Sequence, residues 1–315
     1  MTVNARTVCV VAALLLASLA CSSGGTDVQA TVNAVNTAVD LTLAAMTPAG
    51  DTTAVPATVT PAPTLGVATA QPATAIPPKQ ATSTPPAPPA PSPTVPGQIR
   101  PNGPLLHAAH RSTPPNINAQ PSDWGSPLPY ASDQIVFGAS NWTGPADLSG
   151  SFGLGWDANN FYMLIVVVDD VHVQTQHGEL MFKGDSLELQ FDADLPGDFA
   201  ATQLDDDDYQ LGLSPGANRD APEAFLWIPA ARKGVPSGLV MATHATAPAG
   251  GYAFEAAIPW AMFGVTPSAG EFFGMALNIS SDDSPGTAIQ QSMVSSVATR
   301  QLLDPTSWGT VQLDP

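Results

Sequence analysis

Short apolar segments separated by clusters of Gly, Pro, Asn and Asp fill the chain from about residue 116 to its end. In residues 186–192, apolar Leu187, Leu189 and Phe191 alternate with polar residues, and a strand points successive side chains to opposite faces. The pattern therefore predicts a strand with one core face and one polar face. Comparable segments predict strands at 134–138, 151–156, 161–168, 186–192, 209–213, 224–228, 239–246, 251–258, 273–279 and 310–313.

Short strands separated by turn residues at regular intervals are typical of an all-β fold. We predict an antiparallel β-sandwich of the jelly-roll type over residues 116–315, as one domain because no linker interrupts it. One helical turn is expected near 260–264. Glu188 and Gln210 lie on the polar faces of their strands, which we expect to form either one side of a ligand platform or a plain solvated surface.

The amino terminus has the pattern of an export signal. Arg6 precedes an apolar run of about a dozen residues, which is too short to cross a bilayer and typical of a signal peptide. Small residues then lead to Cys21 and a polar Ser-Ser-Gly-Gly stretch, an arrangement that resembles the bacterial lipoprotein signal. We therefore predict that residues 1–21 are the signal region and that a lipid on Cys21 anchors the protein to the bacterial cell membrane. Ordinary signal cleavage nearby is the alternative.

Residues 22–115 are predicted to separate the anchor from the folded domain. Valines recur at helical spacing in residues 22–47, which favours a short helix, although Val and Thr are poor helix formers. Residues 48–115 contain more than half of the chain's 33 prolines, together with Ala, Thr and Ser. Such a segment buries too little apolar surface to offset its ordering entropy. It therefore predicts a disordered stalk, extended at about 3.1 Å per residue in polyproline geometry.

Composition narrows the range of partners and activities. The formal net charge is −18, and a chain so acidic repels phosphate backbones, so we expect no nucleic-acid partner. The only two cysteines, Cys9 and Cys21, belong to the signal region, so we expect no disulfide in the domain. No Gly-x-Ser-x-Gly, His-Glu-x-x-His or phosphate-loop motif occurs in the sequence. We therefore expect a non-catalytic protein.

The order of several motifs in the folded part resembles the carbohydrate-binding module family 9-like domain. The motifs are Ile-Asn-Ala-Gln at 117–120 followed by Trp124, Gly-Trp-Asp at 155–157, Gly-Asp-Ser-Leu-Glu at 184–188, the acidic turn at 205–208 followed by Tyr-Gln, Gly-Tyr-Ala-Phe-Glu-Ala-Ala-Ile-Pro-Trp at 251–260, and Asp-Pro-Thr-Ser-Trp-Gly at 304–309. The resemblance implies a β-sandwich that binds carbohydrate, either a glycan or a polysaccharide.

The resemblance also implies a ligand site. Characterised members hold a terminal sugar between two tryptophans, and the matching positions are Phe182 and Leu302. Glu188 and Gln210 match the polar partners of the sugar, and Gly212 stands where such binders use an arginine. Phe182, Glu188 and Gln210 are therefore candidate ligand-binding residues. We expect weak binding, because the aromatic clamp is incomplete and hydrogen bonds alone exchange against solvent.

The tryptophans divide into core residues and candidate platforms. Trp156, Trp260 and Trp308 lie in strand motifs and are predicted to be buried, as large aromatic side chains usually are. Trp142 and Trp227 are less constrained by these motifs, so they join the candidate ligand-binding residues.

Four consecutive carboxylates, on Asp205, Asp206, Asp207 and Asp208, form a candidate cation site. Calcium takes six to eight oxygen ligands, and adjacent carboxylates repel one another unless a cation or water screens them. The family resemblance implies structural calcium, which is the one cofactor expected. A solvated acidic turn without calcium is the alternative interpretation.

These observations predict an exported, lipid-anchored protein whose extracellular domain binds carbohydrate weakly through one sheet face. One alternative is a surface adhesion or scaffold module without a sugar ligand, and another is an accessory part of a glycoside-hydrolysing system. A further alternative is haem binding, because relatives of this sandwich bind haem through Met, His or Lys and His172, His177 and Met181 lie near one loop.

Overall fold

The computed structural model of the protein describes residues 99–315. The predicted signal region with Cys21, the helix at 22–47 and the stalk residues 48–98 lie outside this part of the chain. Within it, the strands are β1 Leu105–His110, β2 Tyr130–Ser132, β3 Gln134–Phe137, β4 Leu148–Trp156, β5 Asn160–Asp169, β6 Ser186–Asp192, β7 Asp208–Ser214, β8 Glu223–Ile228, β9 Val240–Ala245, β10 Tyr252–Pro259, β11 Phe272–Ser281, β12 Ser292–Ser295 and β13 Gly309–Leu313.

Helical structure in this part is confined to short segments. Two α-helical turns are present, α1 at Leu195–Asp198 and α2 at Trp260–Phe263, the second of which was predicted. The 3-10 helices are Pro121–Asp123, Gly178–Lys183, Ala230–Arg232 and Pro305–Ser307. Among residues 99–315, no helix has the length and apolar character that crossing a membrane requires.

All strands belong to one hydrogen-bonded sheet in the order β8-β7-β6-β11-β13-β1-β4-β5-β10-β9. In addition, β12 pairs with β11 and β3, and β2 pairs with β4. The sheet is strongly curved, so that it encloses the main core in a sandwich-like arrangement. A second, smaller hydrophobic cluster contains Ala276, Val297 and Trp308. The predicted fold class is therefore confirmed. Every pairing is antiparallel except those of β1, which runs parallel to both β13 and β4.

Strand β1 corrects the predicted end of the stalk. Its Leu106 and Ala108 are buried in the core, although they were assigned to a disordered segment that ended at residue 115. Just before β1, the guanidinium of Arg100 makes an ion pair of 2.8 Å with Asp192, and both side chains are buried. Residues 99–115 therefore belong to the folded domain. The strand escaped the sequence analysis because Leu-Leu-His-Ala-Ala-His lacks β-branched residues and lies between prolines.

Aromatic rings fill the centre of the core. Phe191 of β6 stacks on Phe263 at a centroid distance of 4.3 Å and on Phe273 at 5.1 Å. Trp260 contacts the same group, with its ring 5.7 Å from that of Phe273. Each such side chain contributes about 1.5–3 kcal/mol to stability by burial. The prediction that Trp156, Trp260 and Trp308 are core residues is confirmed, since all three are buried.

A buried glutamate fastens the opening motif of the domain to β10. The carboxylate of Glu255 accepts hydrogen bonds from the backbone N–H groups of Asn118 and Ala119, at 2.8 and 2.7 Å. It also accepts one of 2.8 Å from the indole N–H of Trp124. Bonds to an ionised acceptor are stronger than bonds between neutral groups. This network joins the segments around residues 117–124 and 251–260 in the folded domain.

Candidate functional site

The candidate site lies on the polar face of β6 and β7, defined by Glu188, Gln190 and Gln210. These residues are neighbours because Glu188 pairs with Gly212 and Gln190 with Gln210 across the two strands. The expectation that this face is open to solvent is wrong for β6, where Glu188 is 3% and Gln190 0% exposed. The turn at 300–304 covers them, and the amide of Gln190 donates to the backbone oxygen of Leu302 at 3.1 Å.

Arg300 provides the cation of this face. Its Nη2 donates to Oε2 of Glu188 at 3.1 Å, and its Nε donates to Oε1 of Gln190 at 2.8 Å. The amide of Gln210 donates to the same Glu188 oxygen at 3.0 Å. Burial lowers the pKa of the Arg300 guanidinium, and the charge of Glu188 opposes this shift. The Glu188 carboxylate is therefore held by two donors, one amide and one guanidinium, in a hydrogen-bonded network on this face.

Arg300 was missed by the sequence analysis because it precedes an irregular turn and is 112 residues away from Glu188 along the chain. The only available signal was its rarity, since Lys and Arg together number 9 in the whole chain. The family's arginine was instead assigned to the position of Gly212, which has no side chain. The structure thus brings a guanidinium to the same face from a different element.

Gly212 leaves room for an aromatic ring rather than for an arginine. A Cβ atom at this position would lie 2.5 Å from Cζ3 of Trp227, so any larger residue would displace the indole. Trp227 of β8 is partly buried, and its N–H donates to the backbone oxygen of Glu179 at 3.0 Å. Its ring therefore lies over β7 beside the polar face, next to Gly212.

Phe182 lies against Trp227 at the edge of this surface. It belongs to the 3-10 helix Gly178–Lys183, and the two rings meet edge to face with centroids 6.3 Å apart. Both rings are partly exposed. Beside Gln190, Leu302 is 42% exposed and stands where the second tryptophan of the family would be. The structure thus brings Phe182 and Trp227 together with Glu188 and Gln210.

Trp142, the remaining candidate, belongs to another part of the domain. It packs against the hydrophobic core after β3, and its indole N–H donates to the backbone oxygen of Leu148 at 2.9 Å. Within residues 99–315, no hydrogen bond or ring contact joins it to the polar face.

The acidic turn forms a second candidate site, with one partner that the sequence analysis did not assign. Oxygens of Asp198, Asp205 and Asp208 lie within 4.8 Å of one another. Asp198 comes from α1, whereas the predicted ligands Asp206 and Asp207 are not part of this group, and Asp206 is exposed. The backbone N–H of Asp207 donates to Oδ1 of Asp205 at 3.1 Å, which closes the turn.

Burial controls the ionisation of this turn. Burial raises the pKa of Asp208 to about 7, and the negative charges of Asp192 and Asp198 add to the shift. Burial also raises the pKa of Asp207 to about 8, together with its interaction with Asp205. Oδ1 of Asp208 is buried and has no hydrogen-bond partner among the described residues. Three converging carboxylates with a free oxygen fit the ligand chemistry of calcium.

The residues named for the haem alternative are engaged in other contacts. His172 is buried between Asp185 and the backbone oxygen of Gly216. His177 is largely exposed and pairs with Glu223, and Met181 is buried under β7 and β8.

Comparison with known proteins relates this fold to one family. The family model described as carbohydrate family 9 binding domain-like matches residues 122–315. Two similar solved structures are of a carbohydrate binding module family 9 from Caldicellulosiruptor kristjanssonii, one in complex with cellotriose and one with glucose. Both are 18% identical to this chain and cover 67% of it, with TM-scores of 0.50 and 0.51 and coverage of 93% and 95% of their own chains. The curated proteins contain no match.

Proposed function

Since the chain belongs to the carbohydrate family 9 binding domain-like family, whose members are non-catalytic binding modules, we propose that it binds a glycan or polysaccharide weakly at the polar face of β6 and β7. The observation that supports this most directly is the cluster of Glu188, Gln190, Gln210 and Arg300 beside two partly exposed aromatic rings. Polar groups held in place next to an aromatic surface are what a sugar requires, because it presents hydroxyl groups at its edge and C–H groups on its faces.

Within this cluster, Glu188 orients the groups that contact the ligand. It accepts from Gln210 and Arg300 on one oxygen, Oε2. This fixes the amide of Gln210 so that its own carbonyl oxygen is left to accept from a ligand hydroxyl. The guanidinium of Arg300 uses Nε and Nη2 within the protein, which leaves Nη1 to donate. Gln210 and Arg300 are therefore the proposed polar contacts, and Glu188 is a positioning residue.

Stacking on Phe182 or Trp227 supplies the rest of the binding energy. Each hydrogen bond to sugar replaces one to water and gains little, so the aromatic contact decides the affinity. With aromatic rings on one side and Leu302 in the place of the second tryptophan, a Kd near 1 mM is expected, or about 4 kcal/mol. Many copies on one surface would raise the overall avidity, since the second binding event becomes effectively intramolecular.

A glycan array with the purified full chain identifies the ligand, and titration calorimetry then tests the site. Phe182→Ala and Trp227→Phe are compared with Trp142→Phe, which changes a partly buried tryptophan that packs on the core elsewhere. We expect the first two variants to weaken binding at least threefold, whereas Trp142→Phe leaves it unchanged. Thermal melting of each variant excludes loss of fold as the cause. Binding that persists in both site variants would place the ligand elsewhere.

A glycan array without any hit would favour the alternative of an adhesion or scaffold module. In that case Arg300 and Glu188 would form a structural ion pair that attaches the turn at 300–304 to the polar face of β6 and β7. The burial of Glu188 and Gln190 beneath the turn at 300–304 is the observation that keeps this alternative open.

We propose further that calcium binds the acidic turn through Asp198, Asp205 and Asp208. The unpartnered Oδ1 of Asp208 supports this, because a buried carboxylate oxygen without a hydrogen-bond donor is costly unless a cation neutralises it. Only Oδ2 accepts a hydrogen bond, from the backbone N–H of Asp205 at 3.0 Å. Calcium should raise the melting temperature of the full chain relative to chelator. Asp208→Asn should remove this effect, whereas Asp206→Asn, at an exposed position of the same turn, should retain it. An equal response in both variants would show that calcium binds elsewhere.

Display on the cell surface is proposed from the sequence of the amino terminus. A lipid on Cys21 would anchor the chain, and the proline-rich stalk would carry the domain away from the membrane. In cells, Cys21→Ser should move the protein from the membrane fraction to the soluble fraction. Retention of the variant in the membrane would contradict the lipid anchor.

A further inference from the structure

Asp169, His172 and Asp185 form a buried cluster, here called the buried triad, at the connection between β5 and β6. Asp169 is the last residue of β5, and Asp185 directly precedes β6. Both carboxylates are 0% exposed, and the His172 side chain is 5% exposed. Nδ1 of His172 lies 2.8 Å from Oδ2 of Asp185, and one ligand atom from each of the three residues lies within 4.8 Å of the others.

The histidine ring is held in a defined orientation. Its Nε2 lies 3.0 Å from the backbone oxygen of Gly216, which can only accept, so Nε2 carries the proton. The lone pair of Nδ1 in the neutral ring then faces the carboxylates. Histidines that bind metals usually donate the N–H of the other ring nitrogen to a carbonyl or carboxylate, as Nε2 does here.

The carboxylate of Asp185 is also positioned by the backbone. The N–H groups of Val173 and Asp282 donate to its two oxygens at 2.7 and 2.9 Å. Similarly, Oδ1 of Asp169 accepts from the N–H of Val171 at 3.0 Å. These bonds leave the second oxygen of Asp169 directed at the triad.

Two buried polar atoms at this place have no partner among residues 99–315. They are Oδ2 of Asp169 and the hydroxyl of Tyr252, which is fully buried. Tyr252 of β10 pairs with Val167, two residues before Asp169, so the two side chains leave the sheet on the same face. Burial, followed by the charges of Asp185 and Asp169, raises the pKa of Tyr252. Oδ2 of Asp169, the hydroxyl of Tyr252 and Nδ1 of His172 are therefore three potential metal-ligand atoms without a hydrogen-bond partner among the described residues.

No Lys or Arg in the described part of the chain makes an ion pair with Asp169 or Asp185. The nearby Arg219 instead donates to the backbone oxygens of Ala249 and Gly251. Two buried carboxylates without a cation are strongly unfavourable when ionised. Without a bound proton or metal ion, this charge is therefore uncompensated.

We infer that the buried triad is a binding site for a divalent transition-metal ion of the zinc type. The nitrogen ligand decides between metals, because calcium prefers six to eight oxygens, whereas zinc accepts imidazole together with carboxylate. The Tyr252 hydroxyl or a water completes the coordination. With ligand bonds of about 2.0–2.1 Å, the ligand atoms of His172 and Asp185 would have to move apart by about 0.5 Å.

The metal would close a specific segment of the chain. The connection from β5 to β6, residues 170–185, begins and ends at the triad and carries Phe182 on its 3-10 helix. A metal bound to Asp169, His172 and Asp185 would hold both ends and the first turn of this connection. This metal site is independent of carbohydrate binding, and its residues lie outside the acidic turn.

Zinc titration of the chelator-treated full chain by calorimetry tests this inference. We expect one tight equivalent whose affinity falls at least tenfold in His172→Gln and is unchanged in His177→Gln, a control at an exposed histidine that pairs with Glu223. Calcium is titrated in parallel and should bind at least tenfold more weakly at the triad. Zinc affinity that is equal in both variants, or absent in the unmutated chain, would overturn the inference.

Histidine-ring NMR of the unmutated chain makes the test independent of how well the variants fold. In long-range proton–nitrogen spectra, zinc should convert a single ring to a form that is metal-bound at Nδ1 and protonated at Nε2. This form reports the tautomer set by Gly216. Metal binding through Nε2, or no change in any ring at one equivalent, would contradict the site.

Discussion

Two carboxylates at strand β6 are buried, Glu188 within the strand and Asp185 directly before it. Their negative charges are neutralised in different ways. Glu188, within the strand, meets the guanidinium of Arg300 and the amide of Gln210. Asp185, directly before the strand, lies beside His172 and the carboxylate of Asp169. It has no Lys or Arg as an ion-pair partner in the described part of the chain. The polar face thus contains its own cation, whereas the buried triad requires protons or a metal ion from solution. Two carboxylates that are three residues apart therefore differ in the partner that neutralises them, which is an arginine for Glu188 and a proton or metal ion for Asp185.

This contrast follows from how each carboxylate is solvated. A buried charge requires either an opposite charge or a proton, since burial removes its hydration. Arg300 provides the first solution for Glu188. At the triad, burial and the neighbouring Asp185 raise the pKa of Asp169 to about 9, which is the second solution.

Removing the internal cation should destabilise the polar face strongly. In Arg300→Met, Glu188 remains buried with only Gln210 as donor, and breaking a buried ion pair typically costs about 3–5 kcal/mol. Urea unfolding of the full chain measures this loss. The double variant Arg300→Met with Glu188→Gln should recover most of it, because no charge is then left unpaired.

Lys233→Met provides the control for that experiment. Lys233 pairs with Glu179 on the surface, where both side chains are more than one-third exposed, and such pairs add little to stability. A comparable loss of stability in Lys233→Met and Arg300→Met would show that burial does not distinguish the two ion pairs.

In chelator, the melting temperature should fall as the pH rises from about 4 to about 9. The folded-state pKa of Asp169 is about 9 and those of Asp207 and Asp208 are about 8 and 7, against 3.8 for an ordinary aspartate. Between these values the folded state binds more protons than the unfolded state, so stability is lost as the pH increases. Scanning calorimetry across this range measures the slope.

Two comparisons isolate the contribution of the triad. Asp169→Asn should reduce the slope, because an amide has no proton to lose, and saturating zinc should reduce it in the unmutated chain. A loss of 1 kcal/mol corresponds to about 2–4 °C for a domain of this size. A slope that is the same in Asp169→Asn and in the unmutated chain would show that Asp169 titrates normally.

Tyr252→Phe should have the smallest effect on stability, and its sign is informative. In chelator, the hydroxyl is buried without a partner, and an unsatisfied buried group costs about 1–3 kcal/mol. Its removal should therefore leave the melting temperature unchanged or raise it, while zinc affinity falls if the hydroxyl is a ligand. A clear destabilisation in chelator would mean that the hydroxyl has a partner such as an ordered water.

Local patterns were sufficient for most of the fold. Alternation such as that of residues 186–192 located the strands that run through the core. The motifs that contain Trp156, Trp260 and Trp308 predicted that these large aromatic side chains are buried, as they are. The strands that were missed, β1, β2 and β12, are short or poor in β-branched residues. For the site, the motif around Asp185 identified Phe182 and Glu188 as neighbours of the same surface. It did not indicate that Glu188 is buried.

The sequence by itself determined which faces are apolar, because side-chain alternation along a strand is a local property of the backbone. Only the tertiary structure decided how the polar faces are completed. Arg300 reaches Glu188 across 112 positions, Asp198 joins Asp205 and Asp208 from a helix, and Tyr252 reaches Asp169 through the pairing of β5 and β10. A buried charge must find its partner in space rather than along the chain. The chemistry of each cluster is therefore set by strand order and by the path of its turns.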